Sequence, residues 1–282
     1  METYKLKDYE LRQLQLIQLE LLCEVDRICK KCNIHYNIIA GTLLGAVRHQ
    51  GFIPWDDDAD VALLRTEYER FREACKTELD HERFYFQDHT NEKGYRWGYG
   101  KLRRKKTLFL RENQEDMPYE QGVFIDVFPL DSVPNNKILR SIMNFRCFVL
   151  RKAMWAPIGI KSTKNMAVKS IYAFMTKLPY QYIVIRYNKL IAKCKAIDSK
   201  YVRILTYPTP NSEYAYLRKW YESSEEIWFE CQKFTGIRDW NEYLSFKYGD
   251  YMKLPEITER KVHKVTALKL LDTEREYLRR KS

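Results

Sequence analysis

The chain has 282 residues, and its 49 Lys and Arg against 38 Asp and Glu give a formal charge of +11. Hydrophobic residues make up 45% and aromatic residues 14%, which is enough apolar surface for a packed core and excludes wholesale disorder. No run of 18 apolar residues predicts a membrane-spanning helix, and the first residues lack the pattern of a signal peptide. The seven scattered cysteines disfavour a disulfide framework, so we expect a reducing, cytoplasmic compartment.

The first half of the chain predicts one long helix followed by a small sheet with helices between its strands. Apolar residues at spacings of three and four from Leu11 to Cys29 predict an amphipathic helix that ends near Asn33. GTLLGAVRH predicts a helix that begins at a glycine turn, and TEYERFREACKTEL predicts a helix capped by Thr66. The predicted strands are HYNIIA, DVALL, FYFQD, YGKLRR, TLFL and GVFIDVFPL.

The second half predicts mostly helices, the last of which, DWNEYLSFKYG, ends at Gly249. The mixed order predicts an α+β fold with a small mixed sheet and a basic helical subdomain. We expect a catalytic core over residues 1–135, a basic helical insertion over 136–204, and a C-terminal segment over 205–282 that completes the core.

Positive charge is concentrated in one stretch. Between Asn136 and Ile204 there are fifteen Lys or Arg and one acid, Asp198, so this stretch carries 15 − 1 = +14 and the rest carries 11 − 14 = −3. Bulky apolar residues alternate with these charges at helical spacing, as in ILRSIMNFRCFVLRKAMW. Three interpretations fit: a helical subdomain with solvated charge, helices on an anionic membrane surface, or a nucleic-acid-binding surface.

The most specific feature is the acidic run PWDDDADVALL, which places Asp56, Asp57, Asp58 and Asp60 within five residues. Residues i and i+2 of a strand face the same side, so we expect Asp58 and Asp60 to project together. Asp126 is an acid inside an apolar strand, and a buried carboxylate needs a partner. If the two strands are neighbours, the carboxylates form a site for Mg²⁺ or Mn²⁺.

Two other interpretations of the acidic run are weaker. A solvated acidic turn explains Asp56 and Asp57 but not Asp60. An EF-hand would place Glu67 at its last ligand position, but Val61 stands where that loop needs glycine. We therefore prefer a catalytic divalent-cation site.

Further residues suggest phosphate binding. Gly41 and Thr42 stand where a predicted strand turns into a helix, and a helix N-terminus offers free N–H groups to phosphate. Arg48 and Lys101 are candidates for contacts with phosphate oxygens, with surface cations as the alternative. The histidines near the acids and at the C-terminus are weaker candidates, and the Cys29-x-x-Cys32 pair is interpreted as structural.

The stretch AGTLLGAVRHQGFIPWDDDADVALLRTEYERF resembles the signature of the LicD family, relatives of the fukutin proteins, and GVFIDVFPLDSVP and YLSFKYGDYMKLP resemble two further LicD segments. The resemblance implies a polymerase-beta-like nucleotidyltransferase core and a phosphate turn at Gly41 and Thr42. It also implies metal ligands at Asp58, Asp60 and Asp126, with Asp56 as a further ligand. The C-terminal LPEITERKVHKV departs from the family pattern, with a single proline and a single histidine, His263.

The resemblance also implies an activity. LicD-like proteins transfer phosphocholine or a similar phospho-alcohol from a CDP-activated donor such as CDP-choline to a cell-surface glycan or its lipid-linked precursor, in lipopolysaccharide, teichoic acid or capsule synthesis. We expect a cytoplasmic transferase, which the membrane interpretation of the basic stretch would place on the inner face of the cell membrane. The alternatives are a nucleotidyltransferase that moves a nucleoside monophosphate from NTP, and a non-catalytic protein that binds membrane or nucleic acid.

Overall fold

The computed structural model describes residues 3–260 and 262–271. It is a mixed sheet with helices packed against it, and this confirms the predicted α+β class. The strands are β1 (Asn37–Ile38), β2 (Asp60–Leu64), β3 (Phe84–Gln87), β4 (Gly100–Arg104), β5 (Leu108–Arg111), β6 (Phe124–Val133), β7 (Tyr201–Arg203), β8 (Tyr216–Leu217), β9 (Ser224–Phe229), β10 (Gln232–Ile237) and β11 (Val265–Lys269).

The helices follow the predicted order in the first half and in the basic stretch. They are α1 (Asp8–Lys31), α2 (Ala40–His49), α3 (Arg65–Glu78), α4 (Lys137–Ser162), α5 (Met166–Thr176), α6 (Tyr180–Lys195), α7 (Lys219–Glu222) and α8 (Trp240–Tyr248), with a short 3₁₀ helix at Ile257–Glu259. Gly249 ends α8 with a positive φ of 70°, as predicted.

The main sheet has the order β3-β4-β6-β2-β1-β10-β9, and β7 and β8 extend it from the far half of β6. Strand β6 is its centre, because it pairs parallel with β2, antiparallel with β4, and antiparallel with β7. The strand is buried along nearly its whole length, which explains why its sequence is a continuous apolar run rather than an alternating one. A separate two-stranded sheet joins β5 to β11.

Three predictions about elements are wrong. The second half is not mostly helical, because β7 to β11 lie there and β10 inserts beside β1, with Gly236 opposite Ile38. Helix α3 begins at Arg65 without a side-chain cap, so Thr66 is not its N-cap. Strand β2 begins at Asp60, so Asp58 precedes the strand and the alternation argument does not apply to it.

The basic helices build a second apolar core beside the sheet. It includes Met143 and Cys147 of α4, and Ile183 and Tyr187 of α6. A buried ion pair ties the start of α3 to β6, where Arg65 Nε and Nη2 donate to the two carboxylate oxygens of Asp131 at 2.8 and 2.5 Å. The Tyr187 hydroxyl lies 3.5 Å from the same guanidinium and connects α6 to this pair.

Candidate active site

A cavity of about 910 Å³ opens where β2, β4 and β6 meet. In the sheet, Asp126 of β6 lies directly opposite Asp60 of β2 on one side and Lys101 of β4 on the other. Asp58, Asp60 and Asp126 all line this cavity, and the strands that carry Asp60 and Asp126 are neighbours, as predicted. Its other walls include Trp97, Tyr99, Arg111, Lys152, Trp155, Tyr207 and His263.

The carboxylates repel one another. Burial, followed by the charges of Asp58 and its neighbours, raises the pKa of Asp56 and of Asp60 well above the usual range for aspartate. For Asp60 the neighbours include Asp126 across the strand pair. Like charges held this closely need a counter-charge at neutral pH, so the site favours a cation or a cationic group.

Two basic side chains stand inside the same cavity. The Lys101 ammonium donates a hydrogen bond to Asp126 and lies 3.4 Å from the centre of the Phe124 ring. Burial lowers the pKa of Lys101 to about 7, against the opposing charge of Asp126. Arg111 Nη2 lies 3.6 Å from Asp58 Oδ2, and its Nε and Nη2 are buried without a hydrogen-bond partner.

These two N–H groups of Arg111 indicate a ligand, because burying a guanidinium without hydrogen-bond acceptors costs free energy unless a ligand supplies the acceptors. A phosphate oxygen is the acceptor that a guanidinium fork matches best. Sequence reasoning missed Arg111, which follows the predicted strand TLFL without any motif around it. The antiparallel pairing of β5 with β11 fixes its position.

Asp57 and His263 form a second polar pair at the cavity. His263 Nδ1 lies 2.7 Å from Asp57 Oδ1, and Asp57 is 1% exposed. Burial raises the pKa of Asp57, but the hydrogen bond from His263 and the charge of Arg111 outweigh it and lower that pKa overall. Among the described residues, Asp57, Asp58 and His263 present ligand atoms within 4.8 Å of one another. This group differs from the predicted set, with which it shares only Asp58.

Helix α1 holds the acidic run in place, which the sequence did not predict. Gln15 Nε2 donates to the backbone oxygen of Asp56 at 3.0 Å, and Gln18 Nε2 donates to that of Asp57 at 2.9 Å. Both glutamines are buried. Polar residues on the buried face of an amphipathic helix are unusual. This feature of the sequence could have identified Gln15 and Gln18 as residues that hold another segment in place.

The predicted phosphate turn lies beside the acids. Gly41 lines a smaller cavity of about 220 Å³ together with Asp56, Asp58 and Asp60. A Cβ atom on Gly41 would lie 2.6 Å from Asp56 Oδ2, so glycine is required there by the close approach of the carboxylate. The Thr42 hydroxyl accepts the N–H of Asp60 at 2.8 Å, which ties α2 to the start of β2.

Arg48 is placed elsewhere. Its Nη1 donates to the backbone oxygen of Tyr251 at 2.6 Å, and it is not among the described residues that line either cavity. We therefore leave Arg48 out of the site. Cys29 is buried and Cys32 is half-buried, and all seven cysteines are free thiols.

Comparison with known proteins gives a consistent result. A family model described as "LicD/FKTN/FKRP, nucleotidyltransferase domain" matches residues 33–158, which include the acidic run and Asp126. The lipopolysaccharide cholinephosphotransferase LicD of Haemophilus influenzae is 29% identical over 265 residues, which cover 92% of this chain and 98% of that protein. An uncharacterised protein of Rickettsia typhi is 39% identical over 70 residues, or 24% of this chain and 23% of that protein.

The site is therefore an acid-lined cavity with two cations in its walls, Lys101 and Arg111, built on an α+β sheet. Residues 33–158 match the LicD family model, and the chain resembles the Haemophilus LicD protein over 92% of its length, as the signature stretch predicted.

Proposed function

We propose that this protein transfers a phospho-alcohol, phosphocholine or a close analogue, from a CDP-alcohol to a hydroxyl group of a glycan. The observation that carries the proposal is that Asp58, Asp60 and Asp126 line one cavity together with Lys101 and Arg111. Carboxylates for a cation and free donors for phosphate oxygens are the two parts that phosphoryl-type transfer requires. The name of the Haemophilus relative supports phosphocholine as the transferred group.

The residues fit a divalent cation, and we propose Mg²⁺ or Mn²⁺. The crowded carboxylates of Asp58, Asp60 and Asp126 would hold it, with Asp56 as a further ligand, since hard cations prefer oxygen donors. The crowding of the acids supports this assignment: burial and the charges of neighbouring carboxylates raise the pKa of Asp56 and of Asp60, and a bound cation would offset that repulsion. When bound, such a cation neutralises charge on the donor diphosphate.

The side chains of the chain position the reactants and balance their charge. Arg111 donates its unpaired N–H groups to the phosphate oxygens of the donor, and Lys101 adds positive charge beside them. The acceptor hydroxyl attacks the phosphorus that carries the alcohol, the bond from this phosphorus to the CMP oxygen breaks, and CMP leaves. Asp126 is our candidate to accept the hydroxyl proton, since it faces the cavity between Asp60 and Lys101.

The two cavities give the donor and the acceptor separate approaches. Asp58, Asp60 and Tyr207 line both of them, so ligands from either side reach the same carboxylates. The donor diphosphate would lie at these shared carboxylates, between the Gly41 turn of the smaller cavity and Arg111 and Lys101 of the larger one, within a core that we take to be polymerase-beta-like. The larger one has room for a glycan, which we propose is a lipopolysaccharide glycan or its lipid-linked precursor on the cytoplasmic side.

Release of CMP from CDP-choline tests the proposal. The purified chain should release CMP only with a divalent cation, and faster with a glycan acceptor. Asp58→Asn should abolish this release, whereas Asp198→Asn, which changes an exposed acid on the basic stretch, should not. Wild-type rates in Asp58→Asn would falsify the assignment. Pyrophosphate release from an NTP, without CMP release, would favour a nucleotidyltransferase instead.

A further inference from the structure

Helices α4 and α5 expose an apolar surface outside the active site. Ile138, Ile142 and Phe145 follow one face of α4 at spacings of four and three and are 72%, 48% and 66% exposed. On α5, Met166, Ile171 and Phe174 are 73%, 55% and 69% exposed. Exposed apolar side chains of this size and number on two packed helices mark an interaction site rather than ordinary surface. These six residues are called the hairpin surface below.

Helix α5 is the clearest case. Its sequence, MAVKSIYAFMT, is mostly apolar, yet Tyr172 is its only buried residue. Tyr172 holds the helix against α4, where its ring fills the space beside Gly159 and its hydroxyl accepts from Lys152 Nζ at 2.9 Å. Eight of its eleven residues are apolar, with Lys169, Ser170 and Thr176 as the polar ones, and so many exposed apolar side chains indicate a surface that contacts something other than water.

Helices α4 and α5 carry cations and no acid, although Lys137 of α4 pairs with Glu213 outside them at 2.9 Å. Lys137, Arg146 and Lys169 are exposed on the same two helices, and the stretch from Asn136 to Ile204 carries +14 in total. A second copy of this surface would meet it with the same charge and be repelled. Nucleic acid would bind the cations but would leave the apolar side chains exposed to water, namely Ile142, Phe145, Ile171 and Phe174. An anionic bilayer uses both, since cations bind its headgroups and apolar side chains enter its acyl boundary.

We infer that the α4–α5 hairpin docks on an anionic phospholipid bilayer and lies within its headgroup region. None of the described helices is long and apolar enough to cross a membrane. Lys152, Trp155 and Lys161 of the same α4 line the acid cavity, so one helix carries both docking residues and part of the cavity wall. The docking inference stands on the surface itself. Only its use, reaching a lipid-linked acceptor, rests on the proposed function.

Vesicle flotation of the full chain tests the inference. The protein should float with vesicles of phosphatidylcholine mixed with phosphatidylglycerol, and much less with phosphatidylcholine alone or at high salt. Ile171→Glu with Phe174→Glu should weaken partitioning roughly tenfold or more, since each removes buried apolar area and adds a repelled charge. Arg146→Glu should weaken it about fivefold or more.

Ile257→Glu is the matched control, because Ile257 is 76% exposed but lies outside the hairpin. It should float like the wild type, and circular dichroism should show every variant folded. CMP release from CDP-choline with a water-soluble acceptor should be unchanged in Ile171→Glu with Phe174→Glu, which separates this inference from the proposed reaction. Wild-type protein that stays unbound with anionic vesicles, or binds RNA or itself through these residues instead, overturns it.

Discussion

The acid-lined cavity and the hairpin surface depart from ordinary burial in opposite directions. In the cavity Lys101 and Asp126 are buried, and farther along β6 so are Asp131 and its partner Arg65, although charged groups favour water. On the hairpin, large apolar side chains stand in water, although they favour the core. Both departures lower the stability of the isolated chain, so each indicates a ligand that the isolated chain does not contain.

The two regions differ in how far the chain itself stabilises the buried charges and the exposed apolar side chains. The buried charges are partly paired, as in Lys101 with Asp126 and Arg65 with Asp131. Among the described residues no comparable contact covers the exposed apolar side chains, apart from the packing of Tyr172 against Gly159. We therefore expect changes at the buried charges to have large effects on activity or stability, and changes on the hairpin to affect mainly membrane binding.

The largest expected effect is on activity in Asp60→Asn. The substitution removes a carboxylate that faces Asp126, so CMP release should fall at least about a hundredfold. The same change relieves repulsion among the acids, so the melting temperature of the metal-free protein should hold or rise. Activity assays paired with thermal unfolding check both. A variant that loses stability together with activity would contradict the idea that the cluster is strained for function.

Breaking the Arg65–Asp131 pair should have the largest effect on stability. Their side chains are 7% and 1% exposed, so Asp131→Asn or Arg65→Met leaves a buried charge without its partner and should cost about 3–5 kcal/mol of unfolding free energy. Urea unfolding measures this. Lys195→Met is the matched control, because the Lys195–Glu69 pair is largely exposed and should be worth under about 1 kcal/mol. Equal losses at the two pairs would show that burial does not distinguish them.

Gly159→Ala should weaken the packing of α5 against α4. An added Cβ would lie 2.5 Å from the Tyr172 ring, so we expect a loss of about 1–3 kcal/mol, confined mainly to α5. Faster amide hydrogen exchange over Met166–Thr176 is the measurement, with Ser170→Ala on the exposed face as the control. Unchanged exchange in α5 would mean that Tyr172 is not what holds the hairpin together.

The smallest expected effect is the pH dependence carried by Glu230. Hydrogen bonds from Arg12 and from the Phe52 N–H lower the pKa of Glu230. A lowered folded pKa stabilises the protein above the unfolded value of about 4.3 and loses this contribution as pH falls through the folded value. Because Arg12 is 48% exposed, solvent screening limits the gain to under about 1 kcal/mol.

Urea unfolding of the wild type and of Glu230→Gln should therefore differ at pH 7 and converge as the pH falls below about 4.3. A difference that persists in acid would show that Glu230 acts through packing, not charge.

The sequence by itself determined the elements of the sheet near the site and the residues that carry charge there. The apolar runs around Asp60 and Asp126 predicted two buried strands, because such runs form strands wherever both faces are covered. Crowded acids beside a glycine turn predicted the kind of site. The amphipathic and basic pattern after Asn136 predicted helices with a surface for a charged partner.

Only the tertiary structure decided which residues meet. Arg111 joins Asp58 through the pairing of β5 with β11, His263 reaches Asp57 across 206 positions of the chain, and Gln15 and Gln18 hold the acidic run from α1. Arg48, near the acids in sequence, lies elsewhere. The physical reason is that side-chain patterns report local periodicity and burial, whereas strand pairing and helix packing bring together residues whose separation along the chain carries no local signal.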